Sequence, residues 1–407
     1  PPPRSFEGPP PAAVTAASTQ WWLNDPTVMG LMRPVEADPP EGDNLSKDED
    51  YGFVYCDHPE ATSEEMERKR AMVRGELLNC FAFSMAELGE GYRGALGPVS
   101  ISLVDPKATM RRPRPRSSPL KEQIENEKCS ELLQAGRIER ANSETRVACR
   151  SVIAPKKDLQ GNWTASRYCI DYTPVNANTV TDCYQVPLPE EIFARVRGCR
   201  FFSQLDCRSF FHQLPLSAEA KGLTTFWWKG ELWHYNHLPF GLKNATAVAQ
   251  KRVVHELETA GCGAFAHPFV DDILIARATM AEHLKHVKAT LCALRAVGLK
   301  LHPQKSVFGA DHVIYLGHNI SADGISPDRA KVQAILDLPP PTDVSTLRSA
   351  LGCFNFYRVY VPNTSALLSP LHKLLQKGVA WEWGPQQQAA WDAVRAKLTV
   401  PGILLRQ

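Results

Sequence analysis

The sequence lacks any long apolar run, which excludes a membrane-spanning helix. No segment of its 407 residues approaches the roughly 18 apolar residues that such a span needs. The first residues, PPPRSFEG, contain neither an initiator Met nor a charged-then-apolar leader. We therefore expect no secretory signal, and we interpret the chain as a fragment or a processed piece of a longer product.

Paired cysteines are also missing, although the chain has 11 cysteines. The closest two, Cys199 and Cys207, are eight residues apart, so there is no C-x-x-C half-site for zinc. Reduced and mostly buried thiols of an intracellular protein are the better interpretation. A D-[ST]-G motif of aspartic proteases and a histidine-cysteine zinc pattern are absent too, which disfavours a protease or an integrase.

No sign of charge dominates, because 46 Lys and Arg face 44 Asp and Glu for a net charge of +2. This balance conceals two unlike parts. Residues 1–70 carry a net charge of −8, whereas residues 71–407 carry +10. A basic body permits a polyanionic partner without requiring one.

Composition divides the chain into three regions. We assign residues 1–100 to an acidic, Pro-rich and largely disordered leader, with a weak helix signal over residues 64–88. Alternating Arg and Pro at residues 111–116 predict a solvated linker or an arm that contacts phosphate. Residues 101–320 mix strand and helix patterns, and residues 321–407 are mainly helical. This segregation predicts an α+β fold followed by a helical region.

Short apolar runs predict strands, and longer periodic segments predict helices. The predicted strands are residues 151–154, 168–171, 201–206, 225–228, 232–236, 265–269 and 273–276. The predicted helices are residues 120–135, 190–197, 245–259, 280–297, 342–357, 365–377 and 386–398. The apolar face of the clearest helix, residues 280–297, indicates core packing.

Two acidic sites stand out because each follows an apolar run. Asp206 ends FFSQLD, and Asp271 and Asp272 lie within PFVDDILIA. Adjacent acids at a hairpin tip repel each other, which a divalent cation would offset. Mg²⁺ binds one or two protein carboxylates together with water and phosphate oxygens, so three carboxylates at strand ends suit a two-metal phosphoryl-transfer site. For the dipeptide alone, an ordinary Asp-Asp turn is the plainer interpretation.

A series of motifs favours the metal site. In chain order they are SVIAPKKD, SRYCIDYTPVN, FFSQLDCRSFFHQLPL, LPFGLKNATAVAQ, FVDDILIA, GLKLHPQKSVFG and VIYLGHNISADGISP. In order and spacing, the series resembles the reverse transcriptases of gypsy-type long-terminal-repeat retrotransposons, over about residues 100–405. The resemblance implies a right-hand polymerase with an antiparallel palm sheet, whose fingers, palm and start of the thumb occupy residues 101–320. It also implies a thumb and connection region in residues 321–407 that ends before a ribonuclease H domain.

The resemblance implies RNA-directed DNA synthesis, a nucleotidyltransferase reaction, with two Mg²⁺ ions that Mn²⁺ can replace. Asp206 matches the metal-binding acid of the family's LD-x-x-S motif. Asp271 and Asp272 match the acids of its tyrosine-x-aspartate-aspartate hairpin, with Phe269 in place of the tyrosine. All three are implied to be catalytic and metal-site residues, and we expect Asp272 to support the site more than to bind metal.

Further matches concern the incoming dNTP. The implied dNTP-binding residues are Arg167, Lys156 or Lys157, Phe211, Phe240, Gly241, Gln250 and Lys305. Phe211 falls five residues after Asp206, where the family places an aromatic ring that screens the sugar 2′ position. Gln250 is expected near the template and the pocket, and Lys305 is expected to support pyrophosphate departure. Taken singly, each lysine or arginine is typical of a solvated surface and each aromatic is typical of a core.

Other implied contacts lie outside the nucleotide pocket. Leu316-Gly317 resembles the primer grip, a hairpin that holds the primer terminus, although a plain strand end has the same pattern. The implied partners are an RNA or DNA template with its primer, dNTPs and the other domains of a retroelement polyprotein, with no membrane. The implied location is intracellular, in the cytoplasm, a virus-like particle or the nucleus. The oligomeric state stays open.

Three departures from the family pattern favour a second hypothesis, a degenerate or repurposed copy that binds nucleic acid without synthesis. Phe210 stands where the family has Gly or Ala, Thr246 where it has Pro, and the loop DLQGNWTAS is longer than usual. The retained carboxylates and Arg167 favour an active polymerase. A capsid-like structural protein is disfavoured because the sequence has no zinc knuckle.

Overall fold

A computed structural model of the chain describes residues 45–47, 53–56, 58–114, 118–142, 145–157, 163–361 and 363–398. For residues 45–47, 54, 56, 154–157 and 163–167 it describes the backbone alone. The described residues fall into two compact units that meet in the chain between Val313 and Ile314.

The first unit holds most of the strands and the longer helices. Its strands are β1 (Leu45–Lys47), β2 (Val54–Cys56), β3 (Met110–Arg111), β4 (Ile138–Arg140), β5 (Val147–Ala148), β6 (Arg150–Lys157), β7 (Trp163–Asp171), β8 (Phe201–Asp206), β9 (Phe226–Trp228), β10 (Glu231–Tyr235), β11 (Ala266–Phe269), β12 (Asp272–Arg277) and β13 (Val307–Ala310). Its α-helices are α1 (Ser63–Arg74), α2 (Pro119–Gln134), α3 (Thr173–Ala177), α4 (Pro189–Arg195), α5 (Ala218–Leu223), α6 (Ala245–Thr259) and α7 (Met280–Ala296).

A six-stranded sheet in the order β1-β2-β13-β8-β12-β11 carries the central core of this unit. The first five residues of β8 are buried, as expected for a central strand covered on both faces. Strand β12 runs antiparallel between β8 and β11, and five of its six residues are buried. Strand β8, which ends at Asp206, and strand β12, which begins at Asp272, are therefore both interior strands of the sheet.

Helices α6 and α7 pack on this sheet. A Thr279 side chain caps α7, and Leu284, Val287 and Leu291 on one face are buried. Gly298 follows the helix with a φ of 79°, a left-handed conformation that suits glycine. The apolar face of this helix is core, which confirms the interpretation made from its periodicity.

The described part of this unit has three smaller sheets, one of which pairs β3 with β5. Strands β4, β10 and β9 form a three-stranded sheet, in which Trp228 and Trp233 are buried against each other with ring centroids 4.8 Å apart. The β9–β10 turn at Lys229 and Gly230 has positive φ at both residues, the geometry of a tight hairpin. Strands β6 and β7 form a separate antiparallel hairpin.

The second unit is mainly helical, as predicted. A sheet of β14 (His312–Tyr315), β15 (His318–Ser321) and β16 (Gly324–Pro327) leads into four helices. These are α8 (Arg329–Leu336), α9 (Val344–Phe356), α10 (Thr364–Lys373) and α11 (Pro385–Leu398). Trp391 is fully buried and lies edge-on to Phe354, at a centroid distance of 5.1 Å, which ties α11 to α9.

Residues 1–100 were predicted to be a largely disordered leader, and the structure describes folded elements in the second half of this range. Residues 1–44 lie outside the described part of the chain, but β2 already joins the central sheet by pairing with β13. Phe53, Phe81, Tyr92 and Val99 are buried in the main core. Folded structure therefore begins well before residue 100, because scattered aromatic residues in an otherwise polar segment are enough to anchor it.

Of the ten cysteines whose side chains the structure describes, seven are buried, in line with the mostly buried thiols predicted. Every helix in the part of the chain that the structure describes is too short or too polar to cross a bilayer. Most of the Arg-Pro segment is described, but Pro115 and Arg116 lie outside the described residues, as do residues 158–162 between β6 and β7.

Candidate active site at the ends of the central strands

The site begins with the pairing of two strands that each carry an acid. Asp206 at the end of β8 lies directly opposite Asp272 at the start of β12 in an antiparallel register. Opposed residues of such a pair project from the same face of the sheet. Asp271 occupies the turn just before Asp272, and its carbonyl accepts a hydrogen bond of 2.7 Å from the Cys207 amide. The fold thus brings together all three predicted carboxylates.

The end of β8 is fixed by the segment that carries Lys305. The Asp206 amide donates to Ser306 Oγ at 3.2 Å, and the Asp206 carbonyl accepts from the His302 amide at 2.7 Å. The Lys305 side chain itself is exposed. Its positive charge favours the ionised form of Asp206, as does that of Arg208.

Burial and mutual repulsion work against charge on these acids. Burial raises the pKa of Asp206 to about 7, and the nearby Asp271 carboxylate also acts to raise it, against Lys305. Burial, Asp271 and Asp206 together raise the pKa of Asp272 well above its usual value, even though Gln204 Nε2 donates to Asp272 Oδ1 at 3.2 Å. Three ionised carboxylates here are unstable without added positive charge.

The donor set fits a hard divalent cation. Carboxylate oxygens are the ligands Mg²⁺ prefers, and one or two of them suffice when water and phosphate complete the shell. In the described chain, no group of three or more His, Cys, Asp or Glu side chains has metal-holding geometry. The fit is therefore to Asp206 and Asp271, since Asp272 is buried and bonded to Gln204.

The hairpin that carries Asp271 is held by Gln250 of α6. Its side chain is fully buried, its Nε2 donates to the Pro268 carbonyl at 2.8 Å, and its Oε1 accepts from the Val270 amide. Val270 has a φ of 57°, a strained conformation for a β-branched residue. Both ends of the Gln250 amide are thus bonded to the hairpin backbone, and its place near the template and the nucleotide pocket stays a prediction.

Phe211 lies in a short 3₁₀ helix, Phe210–Gln213, just beyond β8. It is half-buried, and its ring lies edge-on to that of Phe240 at a centroid distance of 5.1 Å. Phe240 is 46% exposed, so this aromatic pair forms part of the surface. The two residues predicted to shape the nucleotide pocket are thus in contact.

The Phe210 ring, one of the departures from the family pattern, is 2% exposed and packs in the main core. It therefore does not project where a nucleotide would approach. Thr246, another departure, is exposed in the first turn of α6. Gly241 is exposed and has a φ of 92°, a backbone conformation that favours glycine, as expected for the predicted turn.

The predicted cationic residues lie on the β6–β7 hairpin. Arg167 pairs with Ala154 across the two strands, and Lys156 pairs with Ala165. Lys157 pairs with Trp163 after a register shift. The backbone thus places Arg167 and both lysines on one hairpin, separate from the sheet that holds the carboxylates.

Leu316 and Gly317 form the turn between β14 and β15 in the second unit, with φ values of 50° and 79°. The Gly317 carbonyl accepts bonds from the Tyr357 hydroxyl at 2.9 Å and from the Asp328 amide at 3.2 Å. The predicted primer-grip residues therefore occupy a tight turn anchored by α9 and by the start of α8.

Sequence reasoning missed several residues of the site. Gln204 bonds to Asp272, and the two-residue strand period already places it on the same face as Asp206. His302 and Arg208 also adjoin Asp206, since the Arg208 charge acts on its pKa. Arg208 lies only two residues after Asp206, whereas His302 reaches the site from a distant part of the chain that no local pattern connects with it.

Residues 154–320 match the family model described as reverse transcriptase (RNA-dependent DNA polymerase), a range that includes all three carboxylates. The chain is 30% identical over 286 residues to the Transposon Tf2-3 polyprotein of Schizosaccharomyces pombe, covering 70% of this chain and 21% of that polyprotein. It is 31% identical over 258 residues to the retrovirus-related Pol polyprotein from transposon 297 of Drosophila melanogaster, covering 63% of this chain and 24% of that one. The chain thus spans about a fifth to a quarter of these relatives.

Among solved structures, the fold is similar to that of the foamy viral protease-reverse transcriptase in complex with an RNA/DNA hybrid. The TM-score is 0.72 at 22% identity, and the match covers 83% of this chain and 44% of that one. The same viral protein in complex with double-stranded DNA matches with a TM-score of 0.68. At this identity the likeness establishes the polymerase fold, in agreement with the right-hand architecture predicted.

Proposed function

We propose that this chain, whose residues 154–320 match the reverse transcriptase family model, is the RNA-directed DNA polymerase part of a long-terminal-repeat retrotransposon polyprotein. The observation that carries the proposal is the register of β8 and β12, which sets Asp206 opposite Asp272 with Asp271 in the adjoining turn. The likeness to transposon polyproteins supports the retroelement origin.

The proposed reaction extends a primer by one nucleotide at a time. The primer 3′-oxygen forms a bond to the α-phosphorus of a dNTP, the bond from that phosphorus to the β-phosphate oxygen breaks, and pyrophosphate leaves. The 3′-hydroxyl proton passes to solvent or to a nearby base. Little covalent chemistry falls to the protein, so its residues act by positioning and by electrostatics.

Asp206 and Asp271 would hold two Mg²⁺ ions, for which Mn²⁺ can substitute, and Asp272 would support them from its buried position. When bound, these ions lower the pKa of the primer 3′-hydroxyl and neutralise the triphosphate and the departing pyrophosphate. The raised pKa values of Asp206 and Asp272 support this assignment, because a cation would stabilise the charged forms that burial disfavours.

The incoming dNTP would be held on two sides. Arg167 and Lys156 or Lys157 lie on the β6–β7 hairpin and would bind its phosphates, where a guanidinium fork and an ammonium are the suitable groups. Lys305 is exposed next to Asp206 and would stabilise the pyrophosphate as it leaves.

Sugar selection would depend on the aromatic pair at the pocket. Phe211, half-buried against Phe240, would exclude a ribose 2′-hydroxyl by its bulk. Gly241 would let the backbone approach the nucleotide, and Gln250 would act behind the site by holding the Asp271 hairpin.

An RNA or DNA template with its primer would be the macromolecular partner, and Leu316-Gly317 would contact the primer terminus. Other domains of the polyprotein would accompany this chain, and we infer an intracellular site of action. The excess of basic residues after residue 70 supports binding to a polyanion.

Primer extension on poly(rA)/oligo(dT) with Mg²⁺ and dTTP tests the proposal. We expect the purified chain to extend the primer and to stop when EDTA removes the metal. If the chain binds the primer–template but adds no nucleotide with either Mg²⁺ or Mn²⁺, the second hypothesis, a copy that binds without synthesis, replaces the first. The buried position of Phe210 weakens that second hypothesis.

A further inference from the structure

Arg137 is a fully buried arginine located between helix α2 and strand β4. Its amide donates to the Leu132 carbonyl at 2.8 Å, and its carbonyl accepts from the Asn236 amide at 2.8 Å. The backbone of Arg137 is thus fixed on both sides. Its side chain enters the protein interior, where arginine is rare without a partner acid.

The Arg137 guanidinium has no carboxylate partner among the residues that the structure describes. Nη1 donates to the His212 carbonyl at 3.0 Å and also contacts His237 Nε2 at 2.7 Å, while Nη2 donates to the Gly89 carbonyl at 2.7 Å. Burial lowers the pKa of this guanidinium. Burying an unpaired cation costs several kcal/mol in general, so these convergent acceptors are what keep it in place.

The three acceptors come from segments far apart in the chain. One of them, the His212 carbonyl, lies next to Phe211, the aromatic residue proposed to exclude a ribose 2′-hydroxyl and called the Phe211 gate below. His212 directly follows Phe211 in the 3₁₀ helix Phe210–Gln213. Its ring stacks on Tyr235, with centroids 5.9 Å apart, and lies edge-on to Phe240 at 5.3 Å. A displacement of the His212 carbonyl would therefore shift the Phe211 and Phe240 rings with it.

We propose that Arg137 is a positioning residue that holds the segment Phe210–Gln213 in place and thereby sets the sugar discrimination of the Phe211 gate. The second part of this proposal rests on the proposed function, and the first does not. Arginine suits the role because its planar fork reaches two carbonyls and an imidazole at once, whereas a lysine ammonium is a single point.

His237 completes the arrangement as an acceptor. His237 Nε2 lies 2.7 Å from Arg137 Nη1 and 3.1 Å from the Glu90 carbonyl. Arginine can only donate, so Nε2 accepts from Nη1 in the tautomer that carries the ring proton on Nδ1. A leucine in place of His237 removes the Nε2 acceptor and leaves one N–H donor of Arg137 Nη1 without a partner. His237→Leu is thus a second way to disturb the same contact while the arginine stays.

The test compares Arg137→Met and Arg137→Lys with the wild-type chain. We measure kcat/KM for dTTP and for UTP in primer extension, and hydrogen exchange of the Phe210–Leu214 amides in the free protein. Arg137→Met should lower the discrimination between the two nucleotides by about tenfold or more, because small misplacements at a reacting site have large effects on rate. Arg137→Lys should fall between it and wild type.

Arg140→Met is the matched control. Arg140 ends strand β4, three residues after Arg137, but its side chain is 69% exposed and pairs with Glu231. It should leave both discrimination and exchange unchanged. The His212 amide donates to the Ser209 carbonyl and the Leu214 amide to the Phe211 carbonyl. Exchange at these two amides should be faster in Arg137→Met than in wild type or Arg140→Met.

Wild-type discrimination and exchange in a folded Arg137→Met protein would overturn the proposal, as would an equal change in Arg140→Met. If Arg137→Met does not fold, His237→Leu is judged by the same two measurements. If the wild-type chain makes no DNA, the proposed function fails, and exchange alone then decides the positioning role. Faster exchange confined to Phe210–Leu214 supports that role, and unchanged exchange refutes it.

Discussion

Replacing Asp206 by Asn should stabilise the metal-free protein while it abolishes synthesis. In the folded chain the pKa of Asp206 is raised from 3.8 to about 7, because burial and the Asp271 carboxylate disfavour the charged form. At pH 8 the native state must carry that charge without a cation. Asn has the same shape and no charge, so it removes the cost.

The size of the effect follows from the shift. A rise of roughly three units in the pKa of Asp206 corresponds to about 4 kcal/mol, at about 1.4 kcal/mol per unit. This value is the upper limit of the gain in stability that Asp206→Asn can give. Relaxation in the native state and the amide's own polar groups reduce it, and we expect a gain of about 1–3 kcal/mol in the free energy of unfolding at pH 8.

The sign of the pH dependence is also fixed. Because the folded pKa is the higher one, the native state binds more protons than the unfolded state between pH 3.8 and about 7, and the stability that Asp206 contributes falls as pH rises through that range. The advantage of Asp206→Asn should therefore be full at pH 8 and smaller at pH 5.5.

Urea unfolding of both proteins in EDTA, at pH 8 and pH 5.5, measures these differences. Asp105→Asn is the control, because Asp105 is exposed and should change stability by less than about 0.5 kcal/mol. Added MgCl₂ should stabilise wild type more than Asp206→Asn. An Asp206→Asn protein less stable than wild type at pH 8, with the same response to MgCl₂, would refute the reasoning about the carboxylates.

Three further predictions concern the gate, the hairpin and the histidines. Phe211→Ala should admit ribonucleotides and lower the discrimination of dTTP over UTP by about tenfold or more, the effect expected from altering a steric pocket. An unchanged ratio of kcat/KM for dTTP and UTP in steady-state extension would place the sugar-selecting residue elsewhere. Gln250→Leu should slow nucleotide addition, because the substitution frees the hairpin backbone at Pro268 and Val270, while primer–template affinity stays within about twofold. The loss of this buried hydrogen-bonding side chain should also cost about 1–3 kcal/mol of stability. A normal rate at saturating dNTP would argue against the positioning role of Gln250. Burial lowers the pKa of His283 and of His318 to about 3, so the unfolded chain binds more protons on these residues below pH 6.5. Their contribution to stability should fall as pH drops from 6.5 towards 4, opposite in sign to that of Asp206. A stability difference between wild type and His283→Gln that is independent of pH over this range would contradict the buried neutral state of the His283 ring.

Much of the framework was predictable because local patterns determine it. The bounds of β8 and of α6 agree with the predicted residues 201–206 and 245–259, since an apolar run and a 3.6-residue period are local signals. The grouping of Asp206 with Asp271 and Asp272 was predicted from their positions at strand ends and from the family resemblance, whereas the register that sets Asp206 opposite Asp272 was not.

The contacts that fix the site were not predictable from such patterns. Gln250 reaches back to the hairpin from a helix about 20 residues earlier, and nothing in LPFGLKNATAVAQ indicates which way its amide faces. A lone arginine such as Arg137 normally predicts a solvated surface, yet its acceptors lie 48 to 100 residues away in the chain. Phe210 counted as a departure that favours loss of synthesis, because the sequence cannot tell which ring of Phe210-Phe211 turns into the core.

The most direct test of the central claim is single-nucleotide addition by wild type and Asp271→Asn with Mg²⁺ on the same RNA template and DNA primer. The account predicts that wild type adds dTMP, whereas Asp271→Asn loses addition by orders of magnitude and binds the primer–template with an unchanged Kd. Addition by Asp271→Asn at the wild-type rate would contradict the claim that these strand-end carboxylates carry the chemistry.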